Sequence, residues 1–580
     1  MNNSRRSFLG YGVAALAAAS SPRGGAGGSA STFLDIIRPP DHVTAFAEGR
    51  PPLHLQRSGG RWRADDVEIA TEPKQQFGLR ELSIKVSSPQ TSLTRVHLRW
   101  SGPLPETLRF LGDHWERSYG DLEWRGLAGE RIMPWYFLAT NGHVTHGYGV
   151  TTGGGAFCFW QVDPVGISLW LDVRNGGSGV QLGERELAAA EVVAEEGRAG
   201  ATASQAARSF CRKLCAHPCL PEKPIYGSNN WYYLYGENMT AENILRDVEQ
   251  LAELAPSGDN PPFMVVDMGW GKAAEGAGPW TPGNCRFPDM PGIAAEMKKR
   301  GVRPGLWVRP LLTVEALPET WHLNVNPTAG TYKPPLLVID PSVPEALAHI
   351  QEGLRGVVGW GFELLKHDFS TFDMLGRWGF QMGAEVTSEG WHFADRSKTT
   401  AEIVLQFYRA IRAAAGNALI IGCNTLGHLG AGIFELQRIG DDTSGRDWNR
   451  TRKMGVNALG FRLPQHRAFF LADPDCVPFT KAVPLGMTRQ WLDLVTKSGT
   501  ALFISAEPAT VTGEEKKMLR TALAAAARVQ PEAEPCTGWC RAEPLDWMET
   551  MSPQQWSLEG GTASFDWFGK EGANPLSKLD

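Results

Sequence analysis

Between residues 220 and 525, apolar runs alternate with amphipathic segments. The runs, in order, are PIYGSNNW, PPFMVVDMGW, RPGLWVRP, FELLKHDF, NALIIGCN, FELQRIGDD, RAFFLADPD and GTALFISAE. Between them lie helical patterns such as TAENILRDVEQLAEL, MPGIAAEMKKRG, AEIVLQFYRAIRAAAG and GMTRQWLDLVTKSG. Alternation of this kind predicts repeated strand–helix units around a parallel sheet. Eight such runs predict an α/β fold with a closed (β/α)8 TIM barrel.

The two flanking regions carry a different pattern. Residues 33–205 contain short alternating runs broken by Gly and Pro, including LTRVHLRWSG and GISLWLDV, which predict an N-terminal β-sandwich domain. Residues 530–580 contain PQQWSLEGGTASFDWF, which predicts a small C-terminal β domain. The chain of 580 residues is long enough for this division into several cores.

The first 31 residues predict an export signal. Arg5 and Arg6 precede Phe8 and a short Gly/Ala-rich apolar segment, which is the arrangement of a twin-arginine signal peptide. The apolar part is too short to span a membrane, so we expect no stable membrane insertion after export. A periplasmic or extracellular location follows from this interpretation.

Composition narrows the choice of partners. The formal net charge is −6 and no cluster of Lys and Arg stands out, which argues against a nucleic-acid partner. The 21 Trp residues are more numerous than average usage, and indole faces suit the C–H faces of sugar rings. Packing in a large core also explains such a count. Composition alone therefore favours a carbohydrate ligand only modestly.

Polar residues follow most of the eight apolar runs. Those at the carboxyl ends are Trp231, Asp267, Trp307, Lys366 with Asp368, Cys423 with Asn424, Asp442 and Asp473. A barrel gathers these ends on one face, where barrel enzymes place their chemistry. Lys366 and Asp368 lie two residues apart and project to the same side of their strand. A surface ion pair is the alternative for these two, but it does not explain the polar residues at the sister positions.

Two of these carboxylates suit cleavage of a glycosidic bond. One carboxylate attacks the anomeric carbon, and another protonates the leaving oxygen. Asp368 is the predicted nucleophile, and Lys366 is expected to keep it ionised. Asp442 is the predicted proton donor, with a pKa raised by partial burial and with Arg438 orienting it. Asp441 remains an alternative to Asp442, because adjacent strand residues face opposite ways.

Several motifs together resemble a known family. GSNNWYY, VVDMGW followed by GPWTPGNCRFPDMPGIAAEMKKRGVRPGLWV, LLKHDF, and RIGDDTSGRDW are similar, in this order, to the barrel of the clan D glycoside hydrolases. These are the α-galactosidase families 27 and 36, and the order of sandwich, barrel and small β domain is similar to family 36. The resemblance covers roughly residues 224 to 525 in motif order.

The resemblance implies roles for individual residues. It makes Asp368 the nucleophile and Asp442 the acid/base, and it makes Lys366, Arg438 and Asp267 partners of the sugar. The implied subsite residues are Trp231 and Trp307, with Cys423 and Asn424 near the sugar's C2 substituent and with Trp115 and Trp124 lent by the N-terminal domain. The alternative for Trp115 and Trp124 is packing within the β domain. No metal or cofactor is expected, since two aspartates and a water suffice.

One departure bears on specificity. The family has two successive aspartates after its second strand, whereas this chain has Asp267 followed by Met268. Methionine is a weak acceptor, so one polar contact to the sugar is lost. We expect a retaining exo-α-glycosidase acting on terminal galactose or a related sugar of an oligosaccharide or glycoconjugate. The alternatives are an α-N-acetylgalactosaminidase, an α-galactosyl transferase of the raffinose-synthase kind, and a non-catalytic carbohydrate-binding barrel. A metal-dependent hydrolase is disfavoured because the 13 His are scattered.

Overall fold

The computed structural model describes residues 33–76, 79–236, 238–323 and 334–530. The predicted signal peptide and the predicted C-terminal β domain beyond Gln530 lie outside these ranges, so both stay predictions. Within these ranges, every helix is too short or too polar to cross a membrane.

The N-terminal region folds as the predicted sandwich of two antiparallel sheets. One sheet has the order β2-β1-β7-β13-β12-β9 and the other the order β3-β4-β5-β6-β14-β11-β10-β8. The strands are β1 His42–Ala47, β2 Leu53–His54, β3 Gln56–Ser58, β4 Arg61–Ala64, β5 Val67–Gln76, β6 Leu79–Ser88, β7 Leu93–Ser101, β8 Arg109–Gly112, β9 Met133–Pro134, β10 Tyr136–Thr140, β11 Thr145–Val150, β12 Phe157–Asp163, β13 Gly166–Asp172 and β14 Gly183–Glu195. In β7, Val96, Leu98 and Trp100 are fully buried and alternate with more exposed residues, because successive side chains of a strand point to opposite faces.

The central region is the predicted parallel barrel. Its strands are β15 Tyr226–Asn229, β16 Phe263–Val266, β17 Arg303–Val308, β20 Leu364–His367, β21 Leu419–Gly422, β22 Leu436–Arg438, β23 Leu471–Asp473, β24 Val477–Phe479 and β25 Leu502–Ala506. They pair in the order β23-β22-β21-β20-β17-β16-β15-β25-β24. All eight predicted runs therefore form strands of one sheet, and β18 Leu312–Thr313 and β19 Leu337–Val338 pair antiparallel as a separate two-stranded sheet.

The barrel closes through its interrupted seventh strand. β23 and β24 follow each other closely in the chain, and β24 pairs with β25, which in turn pairs with β15. The N–H of Ala501, just before β25, donates to the carbonyl of Ala472 in β23 at 3.0 Å. The two short strands thus occupy one position between β22 and β25, and the carboxyl ends of all strands meet on one face.

The first helix packs on β11 of the sandwich, and the other helices follow the barrel strands. The helices are α1 Ala203–Leu214, α2 Trp231–Leu234, α3 Ala241–Leu254, α4 Met290–Lys299, α5 Pro344–Gly359, α6 Ser370–Leu375, α7 Thr400–Ala415, α8 Gly427–Gly430, α9 Trp448–Thr451, α10 Ala458–Arg462, α11 Leu485–Ser498 and α12 Gly513–Ala526. Short 3-10 turns span Ala274–Gly276, Glu319–Trp321, Gly379–Met382, Leu463–Gln465 and Pro508–Thr510, and a π-helix spans Arg452–Asn457.

Side-chain caps set the start of several of the longer helices, including α1, α3, α4 and α7. Thr399 accepts from the N–H of Glu402 at 3.1 Å, and the Glu402 carboxylate accepts from the N–H of Thr399 at 2.9 Å. This capping box at α7 satisfies two backbone donors that a helix end leaves unpaired. Caps of this kind contribute about 1 kcal/mol each, so helix placement is encoded locally.

A segment of the sandwich joins the carboxyl end of β22. The N–H of Ser118 donates to the carbonyl of Ile439 at 2.9 Å, and the N–H of Asp441 donates to the carbonyl of Ser118 at 2.8 Å. Ser118 and Gly440 thereby form a parallel bridge. The residues around Ser118 are consequently fixed at the face of the barrel where the carboxyl ends of the strands meet.

Candidate active site

Asp368 lies at the end of β20 and is held by three N–H groups. Its Oδ2 accepts from Trp307 Nε1 at 2.9 Å, and its Oδ1 accepts from the backbone N–H groups of Phe369 at 2.8 Å and Asn424 at 3.0 Å. Burial raises the pKa of this carboxyl, but the charges of Arg117 and Lys366 outweigh that effect, so the pKa is lowered overall. Asp368 is therefore ionised and fixed in direction, as a nucleophile needs to be.

The residue after Asp368 adopts an unusual backbone conformation. Phe369 has φ of 62°, in the left-handed region that costs a residue with a side chain roughly 1–3 kcal/mol. Its ring lies under the guanidinium of Arg309, 4.0 Å from the centroid, and Arg309 in turn pairs with Asp373 at 2.7 Å. These contacts hold the sharp turn that allows Asp368 to face the barrel end.

Lys366 pairs with Asp267 rather than directly with Asp368. Its Nζ donates to Asp267 Oδ2 at 2.7 Å, and Asn229 Nδ2 donates to the same oxygen at 2.6 Å. Asp267 Oδ1 accepts the backbone N–H of Met268 at 2.8 Å. Burial disfavours the charged ammonium, but Asp267, Cys423 and Asp368 together outweigh that effect and raise the pKa of Lys366. The expected electrostatic help to Asp368 is thus supplied by a lysine whose ammonium is anchored by Asp267, at the end of β16, two strands away in the sheet.

Asp441 and Asp442 occupy different environments. Asp441 pairs with two guanidinium groups: its Oδ1 lies 2.8 Å from Arg117 Nη2, and its Oδ2 lies 2.7 Å from Arg450 Nη2. Its side chain is 14% exposed. Asp442 is bonded by Arg438 at 3.0 Å, and its side chain is 38% exposed. Since Asp441 is neutralised on both oxygens, Asp442 is the carboxylate available to an incoming group.

The expected rise in the pKa of Asp442 is wrong for the free protein. Burial acts in that direction, but the charges of Arg438, Arg117, Lys366 and Arg450 together lower the pKa below its ordinary value. Arg438 therefore stabilises the ionised form as well as orienting the side chain. The physical reason is the number of cations around the site, which a single stretch of sequence does not display.

Arg438 is buried among acceptors from three elements. It bonds Asp442, contacts Asp475 at 2.8 Å, and its Nη1 lies 3.7 Å from Cys423 Sγ. Asp475 also accepts from the hydroxyl of Tyr232 and from the N–H of Thr443 at 2.8 Å. This network fixes the guanidinium, and Asp475 is a member of it that the sequence patterns did not reveal.

Arg117 is the main site residue that the sequence analysis missed. It is delivered by the bridge at Ser118, and its side chain is only 7% exposed. Besides Asp441, it reaches Asp442 at 3.8 Å and Cys423 Sγ at 3.7 Å. Among the neighbouring charges, Arg117 has the largest effect in lowering the pKa of Asp368. Arg117 lies in the stretch GDHWERSYGDLEW, in which Trp115 and Trp124 were the predicted site residues.

Glu116, next to Arg117, ties Asn424 to the sandwich. The buried Glu116 carboxylate accepts from Asn424 Nδ2, from the hydroxyl of Tyr119, and from the N–H of Gly379 at 2.9 Å. Asn424 Oδ1 accepts the N–H of Phe372 at 3.1 Å. The Asn424 side chain thus bonds two protein groups, and its backbone N–H donates to Asp368; its contact with the sugar stays a prediction.

The four predicted tryptophans divide into two groups. Trp307 bonds Asp368, and the partly buried Trp231 follows Asn229, whose Oδ1 accepts its N–H at 2.9 Å. Trp115 and Trp124 are buried, and the ring of Trp115 lies edge-on to Trp135 at 5.3 Å. The prediction that these two lend their rings to the pocket is wrong, because they pack in the sandwich as the alternative described. The side chains of this stretch that contact the barrel site are Glu116, which bonds Asn424, and Arg117, which pairs with Asp441.

The site holds an ionised, fixed carboxylate, Asp368, and a second, more accessible one, Asp442. The negative charge of Asp442 raises the pKa of Asp368, so the two carboxylates interact electrostatically. Lys366, Arg438 and Arg117 compensate the two negative charges in a buried setting. Such a pair can attack an electrophilic carbon from one side while a proton is exchanged on the other.

Several solved structures with a similar fold are α-galactosidases. The chain is similar to an α-galactosidase from Thermus thermophilus in complex with p-nitrophenyl α-D-galactopyranoside, with a TM-score of 0.56 at 18% identity over 78% of this chain and 94% of that one. It is also similar to a GH36 α-galactosidase from Geobacillus stearothermophilus in complex with 1-deoxygalactonojirimycin, with a TM-score of 0.54 at 15% identity over 84% and 72%. The galactosidase domain of an α-galactosidase–sucrose kinase matches with a TM-score of 0.50 at 15% identity over 83% and 73%.

These likenesses confirm the fold that the motifs led us to expect. No family model and no curated protein sequence matches the chain. The sandwich and the barrel of family 36 are therefore recognisable in three dimensions, although sequence identity has fallen to 18% or less for the structures named above.

Proposed function

We propose that this chain is a retaining exo-α-glycosidase that releases terminal α-linked galactose, or a close relative of it, from an oligosaccharide. The observation that carries the proposal is the pair Asp368 and Asp442 at the ends of β20 and β22, one fixed by three N–H donors and the other accessible. The similar solved proteins support the sugar, because their complexes hold p-nitrophenyl α-D-galactopyranoside, stachyose and raffinose.

The reaction proceeds in two displacements. A carboxylate oxygen of Asp368 attacks the anomeric carbon, the bond to the leaving oxygen breaks, and Asp442 gives its proton to that oxygen. Asp442, now ionised, then takes a proton from water, which attacks the same carbon and releases Asp368. Water restores the starting state, so the atoms and charges balance over the cycle.

The lowered pKa of Asp442 affects when it can act as an acid. In the free protein its carboxyl is ionised over most of the pH range, because four cations surround it. A bound sugar displaces water from this half-exposed side chain, and desolvation favours the protonated form. Since a smaller share carries the proton at higher pH, we propose an acidic optimum for substrates whose leaving group needs protonation.

The test is hydrolysis of a panel of nitrophenyl α- and β-glycosides by the purified protein. We expect release from the α-galactoside, loss of activity in Asp368→Asn, and a smaller loss, on the order of 10²–10⁴-fold, in Asp442→Asn. Asp163→Asn in the sandwich is the matched control, since it makes the same change at an aspartate paired with Arg99. Full activity of Asp368→Asn would overturn the mechanism.

The same panel identifies the sugar. Release from α-N-acetylgalactosaminide alone would reassign the glycosyl group and keep the mechanism. A transferase would show transfer to an added sugar in preference to water. Absence of release from every member, with sugar binding retained, would indicate a barrel that only binds carbohydrate.

We also propose export by the twin-arginine route. The proposal rests on Arg5 and Arg6 and the apolar segment after them. Replacing both by Lys is expected to leave the protein in the cytoplasm, which fractionation of the producing cells measures. Unchanged export of the double variant would exclude this route.

A further inference from the structure

An exposed arginine lies close in the chain to the proposed proton donor. Arg446 follows Asp442 by four residues, on the loop between β22 and α9. In the part of the chain described here, its guanidinium contacts an aromatic ring and forms no ion pair with a carboxylate. The neighbouring Asp447 caps α9, where it accepts the N–H of Asn449 at 2.9 Å. The chemistry proposed above gives this guanidinium no role.

The aromatic ring holds Arg446 in place. The guanidinium carbon lies 4.1 Å from the ring centroid of Tyr235, the residue that follows α2. The hydroxyl of Tyr235 accepts the N–H of Gly445 at 3.2 Å, so the ring is fastened to the same loop that carries the arginine. A cation over an aromatic face is attracted by the ring without losing its charge. The guanidinium is therefore preorganised, and its charge remains available to a ligand.

Tyr235 and Arg446 lie on the side of the site that belongs to the proton donor. The ring of Tyr235 lies edge-on to that of Trp231 at 5.7 Å and to that of Tyr232 at 6.4 Å. Burial raises the pKa of Tyr232, and the negative charge of Asp442 raises it further, which requires these two side chains to be near each other. A chain of four residues spans at most about 14 Å, which is within the length of a short oligosaccharide.

The leaving group must pass this loop. Asp442 protonates the leaving oxygen, so whatever is attached to that oxygen departs along Asp442. The negative charge of Asp442 is already offset by Arg438 and Arg117, which lower its pKa, so it does not cancel the field of Arg446. Arg450, whose side chain is 38% exposed, adds a second guanidinium to the loop and donates to the carbonyl of Asp442 at 2.8 Å.

We propose that Arg446 recognises an anionic group on the leaving part of the substrate, such as the carboxylate of a uronic acid or a sulfate ester. A guanidinium presents parallel N–H donors that match two oxygens of either group. The inference rests on the proposed function, because it concerns the leaving group of the same reaction. The preferred substrate is then an acidic oligosaccharide or glycoconjugate, and neutral α-galactosides are hydrolysed less efficiently.

The experiment measures kcat/KM of the purified protein for three nitrophenyl α-galactosides whose aromatic ring carries a carboxylate, a sulfonate or a neutral carboxamide. The variants are Arg446→Met and Arg446→Lys. Arg57→Met is the matched control, because Arg57 is an exposed arginine of the sandwich that donates to the carbonyl of Gly59. Each result is expressed as the ratio of kcat/KM for the anionic substrate to kcat/KM for the carboxamide, which removes any general effect on activity.

We expect the ratio to fall about fivefold in Arg446→Met, to fall less in Arg446→Lys, and to stay constant in Arg57→Met. Added salt should lower the ratio of the wild type but not that of Arg446→Met, because salt screens an exposed charge. The anion whose ratio falls further in Arg446→Met distinguishes a carboxylate from a sulfate as the group that is recognised.

An unchanged ratio for both anions in Arg446→Met would overturn the proposal. So would an equal fall in Arg57→Met, since the net charge of the protein would then explain the preference. These results are distinguishable from failure of the proposed function: a protein that hydrolyses the carboxamide galactoside with an unchanged ratio keeps its function and loses only this inference, whereas one that hydrolyses no α-galactoside loses both.

Discussion

Replacing Arg117 by Met removes a buried cation that the sandwich supplies to the barrel. Its guanidinium lies 3.8 Å from Asp442 and 2.8 Å from Asp441. At about 4 Å and an effective dielectric constant of about 20, two unit charges interact by about 4 kcal/mol. Because Asp442 is 38% exposed, solvent screening reduces this to about 1.5 kcal/mol, or about one pKa unit.

The sign of the effect follows from the charge. Arg117 lowers the pKa of both Asp368 and Asp442, so its removal raises both. The acid limb of the pH profile requires ionised Asp368, and the alkaline limb requires protonated Asp442. We therefore expect the whole profile of kcat/KM to move up by about one pH unit, since this profile reports the groups of the free enzyme.

The assay is release of galactose from stachyose across pH by the wild type and the variant, because a sugar leaving group needs the proton of Asp442. Arg99→Met is the matched control, because Arg99 is a mostly buried guanidinium paired with Asp163 at 2.6 Å in the sandwich. Arg117→Lys is expected to keep the position of the profile, since the charge remains. A folded Arg117→Met protein with an unmoved profile would refute the electrostatic role of this residue.

Three further changes give distinct expected results. Burial lowers the pKa of His466 to about 3, so the folded state resists protonation of this residue and loses stability as pH falls from about 6.5. The Tm of His466→Asn should therefore drop less than that of the wild type between pH 7.5 and 5, and an equal drop in both proteins would contradict this. Burial raises the pKa of Asp247 to about 7, so the stability that the protonated carboxyl contributes at low pH is lost as pH rises through 7. Asp247→Asn should therefore have a higher Tm than the wild type at pH 8 but not at pH 4, and an equal gain at both pH values would exclude this cause. Met268→Asp adds a charged acceptor beside Asp267 and should raise kcat/KM for α-galactosides about tenfold, whereas an unchanged value would show that this position does not face the sugar.

The barrel was predictable because its signals are local. Each of the eight apolar runs became a strand, and Thr240, Asp289 and Thr399 cap α3, α4 and α7 where the helical patterns begin. Parallel strands also gather their carboxyl ends on one face, so Asp368, Lys366 and Asp267 are brought together by topology alone. Sequence periodicity was sufficient for all of these.

The remaining parts of the site depend on contacts between distant segments. Arg117 and Asp441 are separated by more than three hundred positions, and no period or spacing relates them. The pKa of Asp442 depends on four cations contributed by different segments, so burial of that residue alone gave the wrong sign. Trp115 and Trp124 were predicted from the right stretch, but which of its side chains turns inward is settled only by packing in the sandwich core.

The parallel bridge between Ser118 and Gly440 has a consequence for protein engineering. A barrel excised from this chain would lack Glu116 and Arg117, and a chimera with a foreign N-terminal domain would need those residues in the same register to complete its active site. Gly440 limits such grafts further, because a Cβ there would lie 2.0 Å from the carbonyl oxygen of Met454. The unit that can be exchanged between homologous chains is therefore the sandwich together with the barrel, and a library that recombines them separately would consist largely of proteins that lack Glu116 and Arg117 at the barrel face.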